Sequence, residues 1–295
     1  MGASDVVPGV SGGTVALILG IYSDLITAVS TGSKALGKLV KGDFTGFVDG
    51  LKAVDWLFLI PLLVGLFSAV LLLSGIIEAA LRDHPETMAG LFFGLVLGSI
   101  VVARGLLEDA SAKHVGIIVG VAVALFILLG FQSGPVADPS ALVLIGSGAL
   151  AVCALILPGI SGSFILLMIG MYAAVLNAVD ERIISDIALV GLGAVVGLAL
   201  FSSLLNHLLD NHHDTVMAVL IGLMFGSLRV LWPWPNGVGI IDHDEIISGT
   251  GLQLPNGAPW VGAVIVGAVA AIVVVAVSAF AQPKTETQTP ESVHA

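Results

Sequence analysis

The feature that most limits this chain is a Pro-Gly-x-Ser-Gly element that occurs twice, each time inside a long apolar stretch. Pro8-Gly9-Val10-Ser11-Gly12 interrupts the apolar region 6–29, and Pro158-Gly159-Ile160-Ser161-Gly162 interrupts the region 141–179. Proline and glycine end helices and leave backbone N–H and C=O groups without helical partners. Within a bilayer such groups survive only where they are buried in protein or line a wet cavity. Both breaks must therefore lie inside the fold.

That the surroundings are a bilayer follows from hydropathy. Mean hydropathy is +1.09, and 11% of residues are charged, against about 25% in an average soluble domain. A soluble protein with so few charges could not cover its own surface. Six further apolar runs (56–80, 88–103, 115–131, 187–205, 216–231 and 260–281) are candidate spans. The expected fold is an all-α polytopic membrane protein of about seven spans at ~20 residues each. One transmembrane domain covers 1–281, and 282–295 reads as a disordered polar tail. The net charge of −11 argues against nucleic acid as a partner. Cys153 is the single cysteine, so no intrachain disulfide forms, and it reads as a packing residue.

The broken regions belong to a duplication. At an offset of 150, Pro8-Gly9-Val10-Ser11-Gly12-Gly13-Thr14 aligns with Pro158-Gly159-Ile160-Ser161-Gly162-Ser163-Phe164, and Gly20-Ile21-Tyr22 with Gly170-Met171-Tyr172. At an offset of 128, Gly94-Leu95-Val96-Leu97-Gly98-Ser99 aligns with Gly222-Leu223-Met224-Phe225-Gly226-Ser227. In that same register Gly65 meets Gly193, Ser74 meets Ser202, His84 meets His212 and Thr87 meets Thr215. Repeat one covers about 1–131 and repeat two about 141–281. Each is expected to hold a broken or re-entrant helical hairpin plus about three transmembrane helices.

Lys34, Lys38, Lys41 and Lys52 crowd the segment after the first broken region, which places it in the cytoplasm. Three spans then lead to 132–140, which has no Lys or Arg and fits the outside. Three more return Lys284 to the inside. An odd number of spans per half inverts the second half, the plan of transporters that hold substrate at broken helices near the midplane. Seventeen residues, 141–157, precede Pro158 in the second region, but seven precede Pro8. This imbalance predicts a natural start upstream of Met1.

Asp5-Val6-Val7-Pro8-Gly9-Val10-Ser11-Gly12-Gly13-Thr14 with Gly20-Ile21-Tyr22 resembles the signature of the polyprenyl-phosphate transporter family. Leu157 to Ser163 and Gly222 to Arg229, running to Trp232-Pro233-Trp234, fit the same pattern. The resemblance implies a flippase in the cytoplasmic membrane. It would return undecaprenyl or dolichyl-type phosphate from the outer to the cytoplasmic leaflet for reuse as a lipid carrier. It also implies an N-terminal segment before the first motif, which agrees with the short first arm. Leu155 stands where Asp5 stands in the first motif, so any role of Asp5 belongs to one half.

The candidate phosphate-binding residues are Ser11, Gly12, Gly13 and Thr14 at the first break, Ser161, Gly162 and Ser163 at the second, and Arg229. Glycines allow close backbone approach, helix starts expose N–H groups to anions, and hydroxyls add donors. The alternative at each motif is close packing with hydroxyls as caps. Arg229 could neutralise a phosphate or snorkel beside Trp232 and Trp234. Asp5 and Arg104 are candidates for coupling or pairing, and Glu78 is a further acid on a span. A proton or sodium ion is the expected coupling ion. Tyr22 and Tyr172 read as interfacial anchors. His207, His212 and His213, with Asp210 and Asp214, read as a solvated loop and not a metal site. No cofactor, metal or catalytic residue is expected, since no nucleophile has an adjacent base. The competing function is an anion channel or small-anion exchanger.

Overall fold

The computed structural model describes residues 1–5, 11–131, 134–235, 237, 251–255 and 260–281. Residues 6–10, with Pro8 and Gly9 of the first motif, and the tail 282–295 with Lys284 lie outside the described residues. So does part of the loop 132–140, at 132–133.

The described elements are helices. The first half contains α1 (Gly2–Asp5), α2 (Gly12–Ile18), α3 (Tyr22–Val40), α4 (Phe44–Lys52), α5 (Trp56–Asp83), α6 (Pro85–Gly105) and α7 (Ala112–Leu128). The second contains α8 (Ala141–Ile156), α9 (Gly162–Met168), α10 (Tyr172–Asp180), α11 (Ile184–Ser227) and α12 (Trp260–Ala281). Their starts follow local chemistry. Ser11 caps α2 by accepting from Gly13 N, and Asp43 and Asp55 cap α4 and α5 in the same way. Proline opens α6 at its first turn, where its missing N–H costs nothing.

Four helices are long and apolar enough to cross a membrane: α5, α6, α11 and α12. A fifth crossing results if α9 and α10 count as one broken span, bent by 113°. The six expected runs 56–80, 88–103, 115–131, 187–205, 216–231 and 260–281 fall largely on α5, α6, α7, the two arms of α11, and α12. α7 and α8 are apolar but have 17 and 16 residues, about 24–26 Å of helix against a ~30 Å hydrocarbon core. The 44 residues of α11 would span about 66 Å if straight, twice that core. It divides at His212, where φ is −141° and ψ 44°.

The region around His207 and Asp214 is therefore helical and not a loop. Asn211 Nδ2 donates to His207 O at 2.7 Å, and Asn206 Nδ2 to Asp210 Oδ2 at 3.3 Å. Polar side chains here satisfy one another along the helix, which hydropathy alone reads as a gap. The repeat is visible in this break. His84, 128 residues earlier, separates α5 from α6 with φ −137° and ψ 55°. Pro85 disfavours the helical region for His84. No proline follows His212; instead Asp214 accepts from Glu108 N (3.0 Å) and Asp109 N (3.2 Å) of the α6–α7 loop.

Packing crosses between the halves. α6 lies against α12 and the second arm of α11 against α7, so the last apolar helix of each half covers the glycine stripe of the other. A Cβ on Gly94 would strike the Gly267 carbonyl, and one on Gly226 would stand 2.7 Å from Leu125 Cβ. Small residues give such helices their approach distance. The polarity is inside out. Ser99, Ser147, Ser202 and Ser227 are buried, while Leu57, Leu71, Leu200 and Phe280 stand exposed, as hydrocarbon surroundings require.

Candidate functional site

The two motifs meet although about 145 residues separate them. Ser11 Oγ donates to Leu155 O at 3.1 Å, and Gly159 N donates to Thr14 Oγ1 at 2.9 Å. Tyr22 Oη adds a 3.4 Å bond to Ile156 O. The end of α8 and the turn that follows it are thus tied by side chains of the first half at Leu155, Ile156 and Gly159, where the helical pairing of α8 stops. Gly13 permits the approach: a Cβ there would stand 2.6 Å from Ile156 O.

The first tip already holds an anion. Gly12 N donates to Asp5 Oδ1 at 2.6 Å, and a Cβ on Gly12 would lie within 3 Å of both carboxylate oxygens. Asp5 is half-buried, so its charge rests on a backbone N–H at the start of α2, a favourable place for an anion. Ser11, Gly12, Gly13 and Thr14 are all buried.

The second tip is built differently. Ser161 starts α9 without capping it through its side chain. Its Oγ lies 2.8 Å from Ser163 Oγ, and among the described residues these hydroxyls bond only each other. Leu155, half-exposed, occupies the position corresponding to Asp5 and brings no charge. Gly159 has φ +85°, and a Cβ there would stand 2.9 Å from Met224 Cα and 3.0 Å from Ser227 Oγ. The tip therefore sits directly on α11, against the segment that leads to Arg229. Gly162 is buried, with the Ala151 carbonyl 2.5 Å from where its Cβ would be.

Both tips continue into matching turns. Gly20 and Gly170 have φ +72° and +73°, a conformation that glycine adopts readily. These turns split the expected hairpins further, because each return arm starts anew at Tyr22 or Tyr172. Tyr22 is buried in the core cluster, not anchored at an interface, whereas Tyr172 is half-buried.

The cations do not join the tips. The Arg229 guanidinium lies 4.8 Å from the Phe126 ring centre, and its Nη2 would stand 2.6 Å from a Cβ on Gly130. It thus occupies the C-terminal end of α7, where the helix dipole favours a cation. Its buried Nε has no hydrogen-bond partner among the described residues. Arg104 is exposed in the last turn of α6. Glu78 pairs with Arg82 at 2.8 Å on the exposed face of α5. No cluster of three or more His, Cys, Asp or Glu that could hold a metal occurs among the described residues.

Sequence reasoning singled out Ser11 and Thr14 but missed their partners, the Leu155 carbonyl and the Gly159 N–H, which are backbone groups of the opposite motif and carry no side-chain signal. Buried backbone N–H and hydroxyl groups of this kind can hold an anion.

Three comparisons bear on this arrangement. Residues 1–246 match the family described as undecaprenyl phosphate translocase-like. A polyprenyl-phosphate transporter of Vibrio cholerae serotype O1 is 41% identical over 237 residues, covering 79% of this chain and 75% of that protein. A polyprenyl-phosphate transporter of Staphylococcus aureus is 32% identical over 250 residues, covering 79% of this chain and 83% of that protein. No solved structure matches.

Proposed function

We propose, because this chain belongs to the undecaprenyl phosphate translocase-like family, that it carries polyprenyl phosphate between the leaflets of the cytoplasmic membrane. The family is one of transporters, not enzymes. The direction we assign is outer to cytoplasmic leaflet, which returns the lipid carrier for reuse. The observation that carries this reading is the meeting of two duplicated Ser-Gly tips, bonded to each other through Ser11, Thr14, Leu155 and Gly159.

In this reading the halves form inverted repeats that rock about the joined tips while the phosphate passes between Ser11–Thr14 and Ser161–Ser163. The second tip, with two hydroxyls bonded only to each other, receives the phosphate first. Arg229, two residues beyond Ser227, lowers the cost of the phosphate's charge. The first tip is occupied by Asp5, so a phosphate competes with that carboxylate for Gly12 N–H. A proton or sodium ion on Asp5 weakens its hold and opens the seat. Coupling then follows from two anions sharing one site, not from a separate ion pathway. Arg104, exposed in the last turn of α6, is assigned no role in this reading.

The test is leaflet exchange of labelled undecaprenyl phosphate in liposomes holding the purified protein. Protein-dependent exchange supports the reading. Chloride or inorganic phosphate flux without lipid exchange would replace it by a small-anion exchanger.

A further inference from the structure

Between α6, α12 and the Trp232-Pro233-Trp234 segment lies an apolar groove of about 290 Å³. It exists because the two helices touch through glycine. Gly90 and Gly94 meet the backbone at Ala263 and Gly267, so no side chain fills the space beside the crossing. The walls are carbon: Phe93, Leu97, Val264 and Ala268. Of these, Leu97, Val264 and Ala268 are exposed, so the groove opens sideways onto the apolar outer surface.

One end is closed by aromatic rings. Trp232 packs edge-on against Phe93 (5.9 Å) and Trp234 (5.3 Å). Trp232 Nε1 donates to Gln253 O at 2.9 Å. Trp234 Nε1 has no acceptor among the described residues, and its side chain is 9% exposed. An unmet buried donor costs free energy that an incoming oxygen would recover. The same turn carries Arg229, whose carbonyl accepts from Trp232 N at 3.4 Å. A hydrocarbon slot and an idle N–H donor therefore adjoin one another, three to five residues along the chain from Arg229, whose guanidinium lies on α7.

We infer that this groove seats the first isoprene units of the transported lipid, with the Trp234 indole N–H meeting an oxygen at the phosphate end. The inference rests on the transport reading above. Flat, methyl-branched alkene units suit walls of aromatic faces and glycine recesses. The lateral opening lets the rest of the tail stay in the bilayer while the head moves.

The experiment uses the full chain in lipid nanodiscs with a tail-diazirine analogue of undecaprenyl phosphate, and cross-links are mapped by mass spectrometry. Labelling is expected on 90–97 and 263–271, displaced by undecaprenyl phosphate but not by phosphatidylglycerol. Ala268→Phe, which fills the slot, should lower labelling by about tenfold, and Trp234→Phe by about threefold through the lost donor. If Ala268→Phe does not fold, Leu97→Trp fills the same slot from an exposed position. Equal displacement by phosphatidylglycerol, or unchanged labelling in the filled variant, overturns the proposal and makes the groove a seat for bulk acyl chains. Lipid exchange with labels elsewhere sinks the groove and leaves transport standing. Specific labelling without lipid exchange does the reverse.

Discussion

At the first tip, Ser11 caps its helix and ties to Leu155, Thr14 holds Gly159, and Asp5 fills the N–H of Gly12. At the second, Ser161 and Ser163 bond each other, and no carboxylate is present at Leu155. The two share Pro-Gly-x-Ser-Gly and differ in polar or steric character at three matched positions, Asp5 against Leu155, Gly13 against Ser163 and Thr14 against Phe164. The two copies of the backbone break thus differ in their bonding: one is tied through Ser11, Thr14 and Asp5, and the other has two hydroxyls that bond only each other among the described residues. In the reading proposed above, the first copy joins the halves and the second receives the phosphate.

The largest effect expected from exchanging these differences is at Gly13. Gly13→Ser sets a Cβ 2.6 Å from the Ile156 carbonyl, and forcing the tips apart should cost about 1–3 kcal/mol. Thermal unfolding in detergent measures this, and liposome exchange should fall with it. The reciprocal Ser163→Gly has no such clash and should fold normally. If both variants unfold alike, the tips are equivalent and the contrast is wrong.

Next comes the open tip. Ser161→Ala with Ser163→Ala should keep the melting temperature and reduce lipid exchange by about ten- to a hundredfold, the loss expected for two hydroxyl contacts to a phosphate. Ser11→Ala should lower stability as well, by about 1–2 kcal/mol through its cap and its tie to Leu155.

Arg229→Gln should weaken lipid binding by about tenfold, read as a raised half-saturating lipid concentration. Arg104→Gln should leave it unchanged. The smallest effect is at the tyrosines. Tyr22→Phe removes one long bond and should cost about 0.5 kcal/mol, whereas Tyr172→Phe should cost less, because its hydroxyl makes no hydrogen bond among the described residues.

Much of this contrast was legible in the chain. The offset of 128 reappears as His84 and His212 with nearly the same backbone angles, and the offset of 150 as Gly20 and Gly170. Repetition of residue type carries repetition of backbone shape, because proline, glycine and capping chemistry are local. What was not legible is long-range. Nothing near Ser11 indicates that a carbonyl 144 residues away accepts its proton, and nothing near Gly94 indicates Gly267. Hydropathy also misread the stretch from His207 to Asp214, where polar side chains keep the helix going by bonding to their own turn. The position of Arg229 on Phe126, not at the tips, depends on how α7 packs on α11, which no local pattern encodes.

The most direct test concerns Asp5 as the competitor for the phosphate seat. Leaflet exchange of undecaprenyl phosphate is measured for the unaltered protein and for Asp5→Asn, each with and without a proton gradient and a sodium gradient. The predicted result is that one gradient accelerates exchange by the unaltered protein, and that the ratio of rates with and without it falls to one in Asp5→Asn. A variant that keeps the full gradient response would contradict the coupling of ion and phosphate at the first tip.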